Sequence, residues 1–516
     1  MRIQLDMFAV ELGAAILLQF ETPDGAVRVL ADGGEAKYHI DTKLADAMAS
    51  FDGKIPKTHI DLIVGTHYDA DHLAGLVDIV QNSTISIGEA WLPPVANDTE
   101  PKTGLAAPGD AQLLALQFAG DDGERVLRDY LASKARTCAR FAQAERWGDE
   151  FRSLTRDDDE SDIDKFVSWT IGRPDGDVPD LALFEWHLRD ASRTLGRDTG
   201  DHAEAVFDDL PEQEEDADPF YRRRWVQSPE ALAKSWSDFS DRAEVEAPAL
   251  ALIRASAAKD AINATSLKAL VDALKKRRTP IACRTIKDGQ PRRFVWSKID
   301  RRFLPGAQIA SDGPELLLLG PSDGLVKKHW RRLPIGDYVM KVAYAALPIE
   351  PITPSNQLSY IMRMDFGEAR ILISGDAGCV DFKPSPRADY HPELIAALSP
   401  LHVIQVAHHG GHNAHFYRCL LAADYQSQTA PSYLLLSHGT YDKHRPSAVF
   451  AKFIETVRRD GDDVQLLFTS TPEAAKVKDF KALFAPVVGT AAQAGDVKLV
   501  FDGSAWAVAA HAVEVP

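Results

Sequence analysis

Apolar residues over positions 1–98 come in short blocks separated by turn signals, a pattern that predicts strands rather than long helices. Ile3–Val10 and Ala14–Phe20 are two such blocks split by Gly13, and Pro23-Asp24-Gly25 turns the chain into a further strand, Val27–Ala31. Asp32-Gly33-Gly34 then breaks the pattern, residues 39–51 take on helical spacing, and the run Ile60, Leu62, Ile63, Val64 reads as a buried strand. Leu73–Val80 suits a helix, and Ile85–Leu92 another strand closed by Pro93-Pro94. From 99 to 295 the period changes to that of helices, clearest at Leu113 to Phe118, Val126 to Phe141 and Leu250 to Leu274. Strand character returns over 296–516, in Glu315–Leu319, Ser359–Asp365, Ala369–Ser374, Val403–Val406, Tyr433–Leu436, Val464–Phe468, Val497–Phe501 and Trp506–Ala509. The expected organisation is a core in two halves, 1–98 and 296–516, with a mostly helical insertion at 99–295.

Several strands end on the same kind of residue. The run Ile60–Val64 leads into Thr66-His67-Tyr68-Asp69-Ala70-Asp71-His72, and Ala369–Ser374 into Gly375-Asp376. Val403–Val406 leads into Ala407-His408-His409-Gly410-Gly411-His412, and Tyr433–Leu436 into Ser437-His438-Gly439, with His444-Arg445-Pro446 close behind. Each instance alone is a polar turn. Imidazoles and carboxylates at four strand ends point instead to one metal centre, because such groups crowd together usefully only around a cation.

Composition narrows the function. A chain of 516 residues, 45% of them hydrophobic, can bury a large core or several smaller ones. A formal net charge of −18 argues against a protein that coats nucleic acid or anionic membranes non-specifically, although basic pairs recur from Arg222 to Arg332. The four cysteines are scattered, with no C-x-x-C pair, as in a protein that keeps its thiols reduced. No signal peptide or spanning segment is evident, so a soluble, cytoplasmic protein without a membrane partner is expected.

With these residues in view, the chain resembles the metallo-β-lactamase superfamily, and most of all the hydrolase domain of ComEC-type DNA-uptake proteins and their free-standing relatives. The superfamily motif H-x-H-x-D-H is similar to His67-x-Asp69-x-Asp71-His72, with aspartate for the middle histidine, as in the ComEC-like branch. Asp32-Gly33-Gly34, Trp91-Leu92-Pro93, Leu317–Pro321, Asn356 to Ser359, Ser374-Gly375-Asp376, Val406–Gly411 and Tyr441–Pro446 resemble further landmarks, in the family's order. The asparagine of the last motif is missing, and Gly411 stands where serine is usual. The resemblance covers roughly 1–98 and 300–510.

The resemblance implies an α/β fold, an αββα sandwich, and two divalent metal ions, zinc or manganese, about 3.5–4 Å apart that activate a water. It implies that His67 and Asp69, with His408 or His409, hold one ion, that Asp71, His72 and His444 hold the other, and that Asp376 bridges. Asp71 and His444 would be catalytic, and His412 and His438 could face substrate. The carboxylate at Asp69 hardens the site and favours manganese. The expected function is a phosphodiesterase or nuclease on DNA or RNA, and the family's defence-associated members suggest an effector role. The alternatives are hydrolysis of a lactone, thioester, β-lactam or cyclic nucleotide, and a non-catalytic binding subunit. The 99–295 segment would serve as cap, dimerisation arm or partner-binding surface.

Overall fold

A computed structural model of the chain describes residues 1–52, 58–95, 113–132, 135, 243–306, 313–331, 354–384, 388–411, 413–437, 439–440, 445–457, 463–470 and 495–509. The chain is α/β, with two large mixed sheets. The first contains β1 (Ile3–Met7), β2 (Ile16–Thr22), β3 (Gly25–Ala31), β4 (His59–Val64), β5 (Ser86–Trp91) and β6 (Ile281–Ala282). The second contains β7 (Arg292–Ser297), β8 (Arg302–Pro305), β9 (Glu315–Gly320), β10 (Ile361–Phe366), β11 (Ala369–Ile373), β12 (Val403–Gln405), β13 (Ser432–Leu436) and β14 (Val464–Phe468). The C-terminal hairpin, β15 (Val497–Phe501) and β16 (Trp506–Val508), returns to the first sheet beside β1.

The two sheets repeat one plan. In the order β16-β15-β1-β2-β3-β4-β5-β6, pairing is antiparallel up to β3 and parallel from β3 to β6. In the order β14-β13-β12-β11-β10-β9-β7-β8, the strands from β11 to β14 are parallel and the others antiparallel. Parallel strands require crossovers, so these halves are where helices cover the sheets.

Alternation along the strands decides which faces meet. Ile16, Leu18 and Phe20 of β2, Val27 and Val29 of β3, and Leu62 and Val64 of β4 join a core shared with Leu316, Leu318, Met362 and Met364 of the second sheet. Phe20 meets Phe366 edge-on at 5.6 Å, and Trp91 meets Phe294 at 4.8 Å. Leu17, Leu30 and Ile63 point the other way, into a second cluster with α1 (Ile40–Asp52) and α2 (Ala70–Asn82). That cluster also takes in α3 (Leu114–Ala119) and the 34-residue α4 (Ala243–Lys276), through Leu114, Phe118, Leu267 and Leu274. On the second sheet, α5 (Ala414–Ala422) and α6 (Ala448–Val457) bury Phe416, Leu420, Phe450 and Phe453. Each fully buried side chain of this size contributes about 1.5–3 kcal/mol, so the shared core holds the sheets together.

The strand pattern of the sequence recurs in these elements, with ends moved by a few residues. Most of the 99–295 segment lies outside the described residues, including the acidic stretches at Asp157–Glu160 and Glu212–Asp218. Its described parts include the helices α3 and α4, but β6 and most of β7 also fall within it and pair with the two sheets. No described helix is long and apolar enough to cross a membrane.

One buried carboxylate gives the fold a pH dependence. Burial pushes Asp6 of β1 up to about 6, despite the hydrogen bond it accepts from Gln4 Nε2 at 2.8 Å. The unfolded value is near 3.8, so the folded chain holds this proton more tightly. The stability Asp6 contributes is therefore full below the unfolded value and lost as pH rises through about 6, a swing of about 3 kcal/mol. Asp6→Asn should remove the swing and raise the unfolding free energy at pH 8 but not at pH 4. Urea denaturation at the two pH values measures it.

Candidate metal centre

The candidate ligands sit where strands of the two sheets end side by side. Asp32 follows β3, Gly65 to His72 follow β4, Ser374 to Asp376 follow β11, Val406 to His409 follow β12, and Ser437 follows β13. These are all carboxyl ends of parallel-paired strands, the usual place for a site in an α/β sheet. The Tyr360 N–H ties the two sheets by donating to the Thr66 carbonyl at 2.8 Å, and within the second sheet the His408 N–H donates to the Gly375 carbonyl at 3.2 Å. A β-carbon on Gly375 would fall 2.4 Å from Thr66 Oγ1, and its φ of +51° is left-handed, so only glycine lets the two ends approach this closely.

Three histidines are held alike. His72 donates Nδ1–H to Asp32 Oδ2 at 2.9 Å, and His409 donates Nδ1–H to the Ser437 carbonyl at 3.0 Å. His67 Nδ1 lies 3.0 Å from Ser359 Oγ. The supports are themselves fixed. Asp32 accepts from the Thr66 N–H at 2.6 Å and from its hydroxyl, and the Ser437 hydroxyl donates to the Gly13 carbonyl. Tying one ring nitrogen turns the other toward a common space, the arrangement a metal-binding imidazole needs.

The far nitrogens and the carboxylates converge. His72 Nε2 lies 3.3 Å and His409 Nε2 3.5 Å from Asp376 Oδ1. The same two nitrogens lie 3.9 and 3.8 Å from Asp71 Oδ2. His67 Nε2 is 3.3 Å from Asp69 Oδ2, and its ring stands edge-on to His72 at 5.1 Å. Nε2 of His67, His72 and His409 and Oδ1 of Asp376 are all buried without a hydrogen-bond partner among the described residues. Four orphaned polar atoms in one place would be costly unless another species satisfied them. Asp71, His72 and His409 each offer an atom within 4.8 Å of the others and could hold a metal ion.

The charges agree with that reading. Burial alone would lower His72, but Asp376, Asp32 and Asp71 outweigh it and hold the imidazole well above its ordinary value. Asp376, which burial would raise, is held well below the carboxylate range by His72 and His409. His409 is lowered, first by its burial, and Asp376 does not fully compensate. The pocket attracts positive charge, and a proton on His72 occupies the place a cation would contest.

The adjacent histidines, indistinguishable in sequence, separate in space. Both are left-handed, with φ of 52° and 54°, a conformation costing on the order of 1–3 kcal/mol each that tends to persist at functional sites. The consequence is that their rings part. His409 joins Asp71 and His72, whereas His408 Nε2 accepts from Arg445 Nη2 at 2.9 Å and lies 3.4 Å from Asn356 Nδ2. His409→Ala should therefore lose the ion shared with Asp71 and His72, while His408→Ala should retain it and lose only its own bond to Arg445. Metal stoichiometry of the two purified variants discriminates them.

Of the residues singled out in the sequence, His67, Asp69, Asp71, His72, Asp376 and His409 come together, and His408 stands just behind them. His412, His438 and His444 lie outside the described residues. In the sequence Asp32 is legible only as part of a turn and Ser359 only as a hairpin landmark, and Asn263, whose Nδ2 donates to Asp69 Oδ1 at 2.6 Å, carries no signal there. The pairing of Asp32 with His72 spans 40 residues and leaves no local signal. No family model matches this sequence, and no curated protein is significantly similar to it, so the case for a metal centre rests on the donor set itself.

Proposed function

We propose that the chain is a metal-dependent hydrolase of the metallo-β-lactamase fold, a phosphodiesterase that cleaves DNA or RNA. The observation that carries the reading is the set of three tethered histidines with bare, buried Nε2 atoms around Asp376. Two mixed sheets with a shared core and helices packed outside support the αββα sandwich that the resemblance implies.

His67 and Asp69 would help hold one ion, and His409, which lies near Asp71 and His72 rather than near His67 and Asp69 as the resemblance implies, would join those two in holding a second, with Asp376 a further donor. Divalent ions bound there would polarise a phosphoryl oxygen and lower the pKa of a water. Carboxylates at 69, 71 and 376 make a hard donor set, suited to manganese or zinc and to oxygen-rich substrates. Asp71 is the carboxylate of the three that solvent reaches most, its side chain 25% exposed against 10% for Asp69 and 6% for Asp376. It is the group best placed to orient an incoming water and accept its proton. Asp32, buried and spent on His72 and Thr66, has no such freedom.

The net charge of −18 disfavours capture of a polyanion by the free chain, so a partner bound through the 99–295 segment would deliver substrate. The test is cleavage of single-stranded DNA, duplex DNA, RNA and bis-p-nitrophenyl phosphate in manganese or zinc, with Asp71→Ala as control. The expected result is hydrolysis lost in the variant. Cleavage of small diesters without any polynucleotide removes the nuclease assignment, and equal activity in Asp71→Ala removes the site.

A further inference from the structure

Among its described residues, the segment between β5 and β6 brings Asn263 to the metal centre. Helix α4 lies along α2 and buries Ala264, Leu267, Val271 and Leu274 in the cluster that also holds Leu73 and Leu76. Packed so, α4 brings residues 260–263 against the loop that carries His67 to Asp71. The Asp260 carbonyl accepts the Tyr68 hydroxyl at 3.0 Å. One turn later Asn263, 2% exposed, makes two bonds with one amide. Its Nδ2 donates to Asp69 Oδ1 at 2.6 Å, and its Oδ1 accepts from the Ala70 N–H at 3.2 Å.

Asp69 precedes the first residue of α2 with extended backbone angles, the position where an aspartate ordinarily accepts a backbone N–H of its own helix. It makes no such bond. Asn263 instead satisfies the first N–H of that helix from outside, which leaves the Asp69 carboxylate to turn toward His67, with Oδ2 3.3 Å from His67 Nε2. A carboxylate can present one oxygen or two. With Oδ1 engaged by the amide, the oxygen beside His67 is Oδ2. The amide does this without cost to the pocket's charge, whereas Lys or Arg in its place would neutralise Asp69 and repel a cation.

We propose that Asn263 is a positioning residue of the metal centre, fixing Asp69 as a one-oxygen donor beside His67, so that α4 is part of the site rather than an appendage to it. The inference rests on the metal-centre reading above. Partners that orient a ligand in this way are worth about 10–100-fold in metal affinity.

The experiment is equilibrium binding of manganese and of cobalt to the full, metal-stripped chain, with the cobalt absorption spectrum as a report of ligand geometry. Wild type is compared with Asn263→Ala, Asn263→Asp, Asp69→Ala and the Asp69→Ala/Asn263→Ala double variant. Thermal unfolding without metal is measured on each. Asn263→Ala should bind about 10–100-fold more weakly and shift the cobalt spectrum. Asn263→Asp, which opens no cavity but sets a like charge against Asp69, should bind no better than the alanine variant. In the Asp69→Ala background, loss of Asn263 should change nothing further. Unaltered affinity and spectrum in both Asn263 single variants overturn the inference, as does an equal loss of affinity on removing Asn263 in the Asp69→Ala background. If wild type itself takes up no metal, the metal-centre reading falls and takes the inference with it, a failure distinct from a wild type that binds and variants that match it.

Discussion

On the proposed function, replacing Asp376 with asparagine should strip the protein of metal and reduce phosphodiester hydrolysis to background, while leaving the fold intact. The substitution keeps side-chain volume and one carbonyl oxygen, so packing around β11 is unchanged. What goes is the negative charge that two buried nitrogens face, His72 Nε2 at 3.3 Å and His409 Nε2 at 3.5 Å. No other carboxylate approaches both of these nitrogens as closely among the described residues, since Asp71 stays 3.8–3.9 Å away and is partly solvated. Loss of a group that merely orients a ligand costs about 10–100-fold, and loss of a charged ligand should exceed that range. Metal analysis after gel filtration, with circular dichroism as the check on folding, gives the answer. A variant that retains wild-type metal content would show that the cation is held without Asp376 and that its depressed pKa reflects only ion pairing with His72 and His409.

How much of this was readable beforehand depends on how local each signal is. His67, Asp69, Asp71 and His72 crowd into six residues after a buried strand, and that density needs no tertiary information. Asp376 and the pair His408-His409 were legible because each follows an apolar run of strand length, even though β11 and β12 belong to the other sheet from β4. Which of His408 and His409 faces the site was not legible, because two left-handed residues in succession decide it and either imidazole suits the pattern equally. Asn263 was invisible for a different reason. It is a polar position in an alanine-rich helix, 194 residues from Asp69, and before the helix is docked such a position looks solvated. Apolar alternation placed the strands, but the packing of one sheet on the other follows from which residues of β2, β3 and β4 share a core with β9 and β10.

Gly75→Ala should be among the most damaging small substitutions in the chain. Gly75 lies in the second turn of α2, where alanine ordinarily helps a helix by about 1 kcal/mol. Here the added methyl would fall 1.9 Å from the Gly33 carbonyl oxygen, 2.5 Å from its carbon and 3.0 Å from the Gly34 oxygen. All three are backbone atoms and none can rotate aside. The contact is also bonded from both sides: the Gly75 N–H donates to the Gly34 carbonyl at 2.7 Å, and the Gly33 N–H to the His72 carbonyl at 2.9 Å. Alanine must therefore drive α2 away from the loop after β3 and break those bonds, at a cost of roughly 4 kcal/mol or more. The same displacement separates His72 from Asp32 and moves Asp71 and His72 relative to Asp376, and misplacement of about 1 Å costs on the order of 10²-fold in rate. Gly439→Ala is the matched control, since a methyl there meets its nearest neighbours at an ordinary 3.5 Å. Urea unfolding and metal affinity of the two variants should diverge widely. Equal behaviour would mean that α2 is free to shift and that the D-G-G turn serves only to reverse the chain, whereas divergence makes the glycines at 33, 34 and 75 the reason two ligands on α2 stay in register with the carboxylate after β3.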